Sequence, residues 1–385
     1  MQRGDNEILT THVGRLSHLD ELAAMWGDDP RERPSGEEFE TLLAKSVSEV
    51  VAHQKDCGVD VVSDGEFGKL AWIAYLAERL SGYEPANTPM PVAKVADTKD
   101  WRDFSGYYGE VFMPSFMAKR WAKAMTRSPL VCAGPVSYTG HEAVATDIKN
   151  LKAGMASAGV EYGFMNSTSP GSAFLDNQYY DSDEEYLFAL ADALHEEYKA
   201  ITDAGLELQI DDPVLVDEWA KGAPDIDLKT FYEWAEVRVA ALNRAVKGLP
   251  RDQIRVHVCW GSWHGPHTTD LPMKDTIPLL LDMDVGGWSV EAANSRHEHE
   301  FEAWRNIDLD GRVVYPGVVG HATDTVEADE LVAWRIGLWV DAVGQGNVVA
   351  STDCGLGDRV HPQVETAKLR ALSAGAKLAS EKLGG

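Results

Sequence analysis

Short β-branched runs alternate with longer stretches of helical period along the whole chain. The runs cover residues 8–14, 59–64, 129–135, 161–166, 206–213, 254–259, 287–291, 313–321 and 347–355. Between them lie helical patterns at 37–57, 147–158, 183–204, 227–246, 275–283 and 327–343, with a closing one at 362–383. The first of these carries Phe39, Leu42, Leu43, Val47, Val50 and Val51 on one stripe. Ser35, Asp227 and Asp275 are the expected N-caps, and Gly58, Gly205, Gly248 and Gly344 the expected stops. Alternation of this kind specifies a parallel sheet with crossover helices, and roughly eight such units suit a closed barrel better than an open sheet. The expected fold is α/β, a TIM (β/α)8 barrel forming a single domain over 1–385. A segment at 84–127, rich in proline, aromatic and charged residues and without a clean period, reads as an insertion after the second strand. No Gly-x-Gly-x-x-Gly follows the first run, which disfavours a dinucleotide-binding fold.

The charge balance, 62 Asp+Glu against 35 Lys+Arg for a net −27, argues against nucleic acid and anionic membranes as partners. No apolar run reaches the roughly 18 residues of a membrane span. The N-terminus is polar and lacks a signal-like apolar region. Four widely spaced cysteines (Cys57, Cys132, Cys259, Cys354) fit a reduced, cytoplasmic compartment rather than a disulfide framework. A homo-oligomer is compatible with these features.

Chemistry collects where the runs end: His12, Asp64 and Glu66, Asp211 and Asp212, His257 and Cys259, Glu291, His321, Asp353 and Cys354. In a TIM barrel those ends share one face, and active sites are built there. His257 and Cys259 are two apart on a strand and project to the same side. With Glu291 and Cys354 they offer N, S, O and S donors from three strand ends, a set whose softness favours zinc over magnesium or calcium. For Cys259 alone, a small buried hydrophobe is the competing reading. Asp211-Asp212 could be an acid/base pair, or one could grip a substrate group while the other is structural. Glu66 could equally cap a turn. His264 and His267 read as polar loop residues. In Arg296-His297-Glu298-His299-Glu300 the two imidazoles point apart on a helix, so solvation or ion pairing is expected rather than metal ligation.

These segments, in their order, resemble the catalytic barrel of cobalamin-independent methionine synthase, within the superfamily that includes uroporphyrinogen decarboxylase. The matching pieces are Thr10-Thr11-His12-Val13-Gly14, Asp64-Gly65-Glu66, Gly134-Pro135-Val136, Gln209-Ile210-Asp211-Asp212-Pro213, His257-Val258-Cys259, Val290-Glu291, Pro316-Gly317-Val318-Val319 and Asp353-Cys354-Gly355-Leu356. The resemblance implies a zinc ion on His257, Cys259, Glu291 and Cys354. It implies substrate contacts from Glu66 and Asp211, and a proton donor at His321, where the local spacing is one residue short of the family's. Asp211 is a second candidate for the proton. Asp212 stands where the family has Glu, and is expected beside Asp211 at the substrate. The family's Gly-Ser loop is Gly14-Arg15-Leu16-Ser17 here, so Arg15 is either a contact for an anionic substrate group or a solvated arginine.

The implied function is a zinc-dependent methyl or alkyl transferase that activates a small-molecule thiol as a zinc thiolate. The methionine synthase pattern would use a homocysteine-type thiol and a 5-methyltetrahydrofolate-type donor. The alternatives are a thiol–epoxide transferase of the epoxyalkane:coenzyme M transferase type and a non-catalytic binding barrel.

Overall fold

A computed structural model describes residues 7–383 apart from 18–19, 28, 30, 87–97, 119–128, 223–224 and 262–263. The strands are β1 (Val61–Val62), β2 (Tyr83–Pro85), β3 (Leu130–Cys132), β4 (Tyr162–Thr168), β5 (Asp176–Asn177), β6 (Glu207–Asp211), β7 (Ile254–Val258), β8 (Gly287–Glu291), β9 (Val313–Val319) and β10 (Ser351–Thr352). Seven of them form one curled parallel sheet in the order β1-β4-β6-β7-β8-β9-β10. Residues 9–11 lie between its two edges. Thr11 donates its N–H to Ala350 O (2.9 Å) and Ala350 returns one to Leu9 O (2.9 Å). On the other side Val61 donates to Thr10 O at 3.0 Å. The arrangement is consistent with a TIM-like barrel, and among the described residues no helix is long and apolar enough to cross a membrane.

The register sets up the site. Asp211 lies opposite His257, Glu291 opposite Gly317, and Thr352 opposite Val319. One rim therefore carries, side by side, the terminal residues of β6 to β10. Gly317 has a reason to be glycine: a Cβ there would fall 2.4 Å from the Asp353 Cα. That close backbone approach draws the loop bearing Cys354 against β9.

Below the rim the barrel interior is polar. Arg255, two residues before His257 and so on the same face of β7, is fully buried. Its guanidinium meets Glu207 (3.1 Å), Gln209 (2.8 Å) and His12 O (3.1 Å). It lies over Phe164 and Tyr315, 4.0 and 4.7 Å from their centroids. A buried charge is tolerable only when paired and hydrogen-bonded in this way.

Strand and helix alternate along the chain, but several local expectations change: the run at 8–14 contributes an isolated bridge at Thr10 rather than a named strand, and the helix expected at 147–158 begins at His141. The run at 129–135 is not a strand of the large sheet. Leu130–Cys132 pairs antiparallel with Tyr83–Pro85 and parallel with Asp176–Asn177 in a separate three-stranded sheet. A short apolar run carries no record of which strand it will pair with. Ser35 does not cap the first long helix: Glu37–Asp56 starts after Gly36 at φ 101° with no side-chain cap. Asp275 sits inside the first turn of Met273–Leu281, whose N-cap is Pro272. A helix at Val214–Gly222, directly after Asp211-Asp212-Pro213, was not expected. Asp227 does cap Leu228–Ala245, accepting from the Thr230 N–H at 2.8 Å.

The 84–127 segment lies partly outside the described residues. Its described part includes the end of β2 and helical turns between Lys99 and Ala118. There Trp101 stacks on Tyr108, with centroids 4.7 Å apart. Asp100 accepts from the Thr268 N–H (3.0 Å) and Tyr107 Oη donates to His264 O. The segment is thus tied to the loop that follows β7.

Candidate metal and thiol site

The ligating atoms of His257, Cys259 and Cys354 lie within 4.8 Å of one another. His257 and Cys259 come from β7 and its end, and Cys354 from the turn after β10. His257 Nδ1 is 3.1 Å from Ser289 Oγ, and its Nε2 is buried with no nitrogen or oxygen partner. One ring nitrogen oriented by a hydrogen bond and the other left bare is how a metal-ligating histidine is held. The Cys259 thiol, and then the His257 imidazole, hold the Cys354 thiol well below its usual range, although burial works the other way. Burial opposes a charge on His257, but Cys354, Asp211 and Glu291 outweigh it and raise its pKa. Two thiols, one of them held well below its usual range, and an imidazole nitrogen without a nitrogen or oxygen partner fit a soft or borderline divalent metal ion.

Glu291 belongs to a neighbouring group. Its carboxylate, one His321 nitrogen and one Asp353 oxygen also lie within 4.8 Å of one another, all in buried side chains. Asp353 Oδ1 accepts from the Ala292 and Ala293 N–H groups at 2.6 and 2.9 Å, which ties the β10 end to the turn after β8. Asp353 Oδ2 has no partner, nor has either His321 ring nitrogen. Burial pushes the His321 imidazole down to about 3, so it is neutral at pH 7.

Farther along the rim are two acids. Glu66 is buried and sits in the left-handed region at φ 61°, a costly conformation for a residue with a side chain. Its N–H is fixed by Asp64 Oδ1 at 2.9 Å, and its Oε2 has no partner. Burial raises its carboxyl to about 8; the charge of Asp211 adds to the rise, while Lys69 and Arg15 oppose it. Asp211 accepts from Gln209 Nε2 (2.8 Å) and Asn166 Nδ2 (3.0 Å), and burial raises it as well. Asp212 points elsewhere, taking a hydrogen bond from Ser172 Oγ at 2.8 Å. Arg15 is clamped by Asp358 (Nε to Oδ2, 2.9 Å), and its Nη1, 4.0 Å from Glu66 Oε2, is buried without a hydrogen bond.

The histidine cluster at 296–300 is ion-paired, as expected. His297 is buried between Asp270 (3.1 Å) and Glu300 (2.7 Å), while His299 is exposed. His267 pairs with Asp270 at 3.2 Å, and His264 Nε2 lies 3.4 Å from His321 O. Several residues around the site went unnoticed in the sequence: Ser289, Asn166, Lys69 and Asn294. Only Ser289 had a readable signal, since it lies two before Glu291 on the same face of β8.

A family model described as "Cobalamin-independent synthase, Catalytic domain" matches residues 122–377. A methionine synthase of Sulfurisphaera tokodaii is 24% identical over 356 residues, covering 91% of this chain and 86% of that protein. A 5-methyltetrahydropteroyltriglutamate–homocysteine methyltransferase of Thermotoga petrophila is 23% identical over 308 residues, but the chain spans only 35% of its length. Among solved structures, a B12-independent methionine synthase from Shewanella sp. W3-18-1 in complex with selenomethionine superposes with a TM-score of 0.71 at 23% identity, covering 98% of this chain and 99% of that one. One from Listeria monocytogenes, described as putative, gives 0.65 at 19% identity. These likenesses support the fold, and the family model matches more than half of the chain: it belongs to the cobalamin-independent synthase catalytic-domain family.

Proposed function

We propose that the chain is a zinc-dependent thiol methyltransferase of the methionine synthase type, acting as one TIM-barrel catalytic domain over 1–385 with the 84–127 segment inserted after its second barrel strand. The observation that carries the reading is the His257–Cys259–Cys354 trio, with an imidazole nitrogen that meets no nitrogen or oxygen and a Cys354 thiol held well below its usual range. His257, Cys259 and Cys354 would hold the zinc, with Glu291 as the fourth and exchangeable ligand. Bound zinc supplies a lowered pKa for the substrate thiol, keeping it deprotonated near neutral pH.

The protein's own share is positioning. Glu66 and Asp211, two buried acids whose charges act on each other, with no hydrogen-bond partner on Glu66 Oε2, suit the ammonium end of an amino-acid thiol such as homocysteine. Arg15 Nη1, 4.0 Å from Glu66 Oε2 and without a hydrogen bond, suits a carboxylate. Asp212, one residue beyond Asp211, supports that wall through Ser172. The thiol is thereby aimed at a methyl carbon held in line, and effective molarity rather than new bonding does most of the work. The leaving donor needs a proton. His321 stands at the metal end with both ring nitrogens unpartnered, a neutral imidazole that would relay a proton rather than store one; Asp211, whose carboxyl burial raises, is the second candidate.

Incubating the zinc-loaded protein with L-homocysteine and a 5-methyltetrahydrofolate tests the assignment: methionine is expected. Activity confined to thiol addition across an epoxide would transfer the case to the epoxyalkane-type reading. Absence of any thiol alkylation in the metal-loaded protein would favour a binding barrel.

A further inference from the structure

Both oxygens of Glu291 are occupied by donors outside the sulfur–imidazole trio. Oε1 accepts from the Trp260 backbone N–H at 3.1 Å, and Oε2 from Asn294 Nδ2 at 2.5 Å. Both donors lead to the same residue. The Trp260 indole stacks on the His297 ring, with centroids 3.7 Å apart and planes within 14°. Asn294 Oδ1 accepts the His297 N–H at 3.0 Å and the Arg296 N–H at 2.9 Å. Burial disfavours a charge on His297, yet Asp270 and Glu300 raise its pKa to about 9. A cation fixed by two carboxylates against an indole face is a firm anchor.

We propose that the Trp260 N–H and the Asn294 amide, both fixed by His297, form an off-metal berth for the Glu291 carboxylate. Asn294 is then a positioning residue that sets how readily a substrate thiol takes the Glu291 ligand place. The inference rests on the metal–thiol reading above. The exchange would be one of anions: Glu291 would rest on two N–H donors, the thiol would bind as thiolate, and its proton would pass to the buffer. Without the berth, Glu291 has nowhere comparable to go and competes with the thiol.

The test variant is Asn294→Asp, which keeps the Oδ1 acceptor for the 296 and 297 N–H groups but replaces the donor facing Glu291 by an acceptor. The full-length zinc protein is titrated with L-homocysteine and with 2-mercaptoethanol, and zinc affinity is measured separately by chelator competition. The thiol dissociation constants should rise roughly 10- to 100-fold, the worth of one hydrogen bond to a charged group, while zinc is held as tightly as in wild type or more so. Asn294→Ser should behave the same way in direction and guards against a misfolded first variant. Unchanged thiol affinity, or zinc affinity that falls together with it, overturns the berth. Failure of wild-type protein to bind either thiol at the metal would instead remove the reading beneath it, and the berth with it.

Discussion

Cys259→Ser and Cys354→Ser proteins are expected to leave purification without zinc and without thiol alkylation, both losses appearing in the same variant. Each change deletes one of two sulfurs in a trio whose atoms lie within 4.8 Å. Loss of a mere supporting residue around a metal costs about 10–100-fold in affinity; removal of a ligand should exceed that. Cys354→Ser has the further effect of removing the group that most raises the His257 pKa. Cys57 and Cys132 lie away from the rim, and Cys57→Ser should keep full metal content. Metal analysis by plasma mass spectrometry beside an activity assay decides the point. A Cys354→Ser protein with normal zinc and normal turnover would break the link between this trio and catalysis.

The second large effect is expected at Glu66. Glu66→Gln keeps the shape but removes the carboxyl that would ionise against the proposed ammonium group. Truncating one partner of a buried charge pair costs about 2–5 kcal/mol, so kcat/KM for an amino-acid thiol should drop on the order of 100-fold or more. A thiol without an amino group should be little affected. The substrate-free protein should respond in the opposite sense. The folded-state carboxyl stands at about 8 against an ordinary 4.5. The folded chain therefore retains a proton that the unfolded chain releases, and the contribution of Glu66 to stability, whole below 4.5, declines as pH rises through about 8. Glu66→Gln removes that decline. Its thermal stability relative to wild type should improve steadily between about pH 4.5 and 8 and then level off. A difference in Tm that does not vary with pH would contradict the burial account, and unchanged discrimination between the two kinds of thiol would contradict the substrate role.

The residues of the trio were legible because a strand has a period of two and a parallel barrel collects strand ends on one rim. His257 and Cys259 follow from the first rule, Cys354 and Asp211 from the second. What was not legible depends on distances across the barrel. Glu291 sits at the expected strand end, but its carboxylate groups with His321 and Asp353 and is taken up by Trp260 and Asn294. No spacing rule reports the direction of a rotamer. Leu130–Cys132 has the composition of a barrel strand, yet it pairs with β2, because partner choice is a tertiary matter. The role of the buried Arg255 under the site depends on partners from other strands, its charge being satisfied by Glu207, Gln209 and two aromatic faces.

Zinc-edge X-ray absorption of the purified wild-type protein tests the central claim most directly. Two sulfur scatterers at about 2.3 Å with nitrogen or oxygen at about 2.0–2.1 Å are predicted for the substrate-free protein, with a third sulfur on adding L-homocysteine. A first shell of nitrogen and oxygen alone, or a sulfur count that homocysteine leaves unchanged, would contradict it.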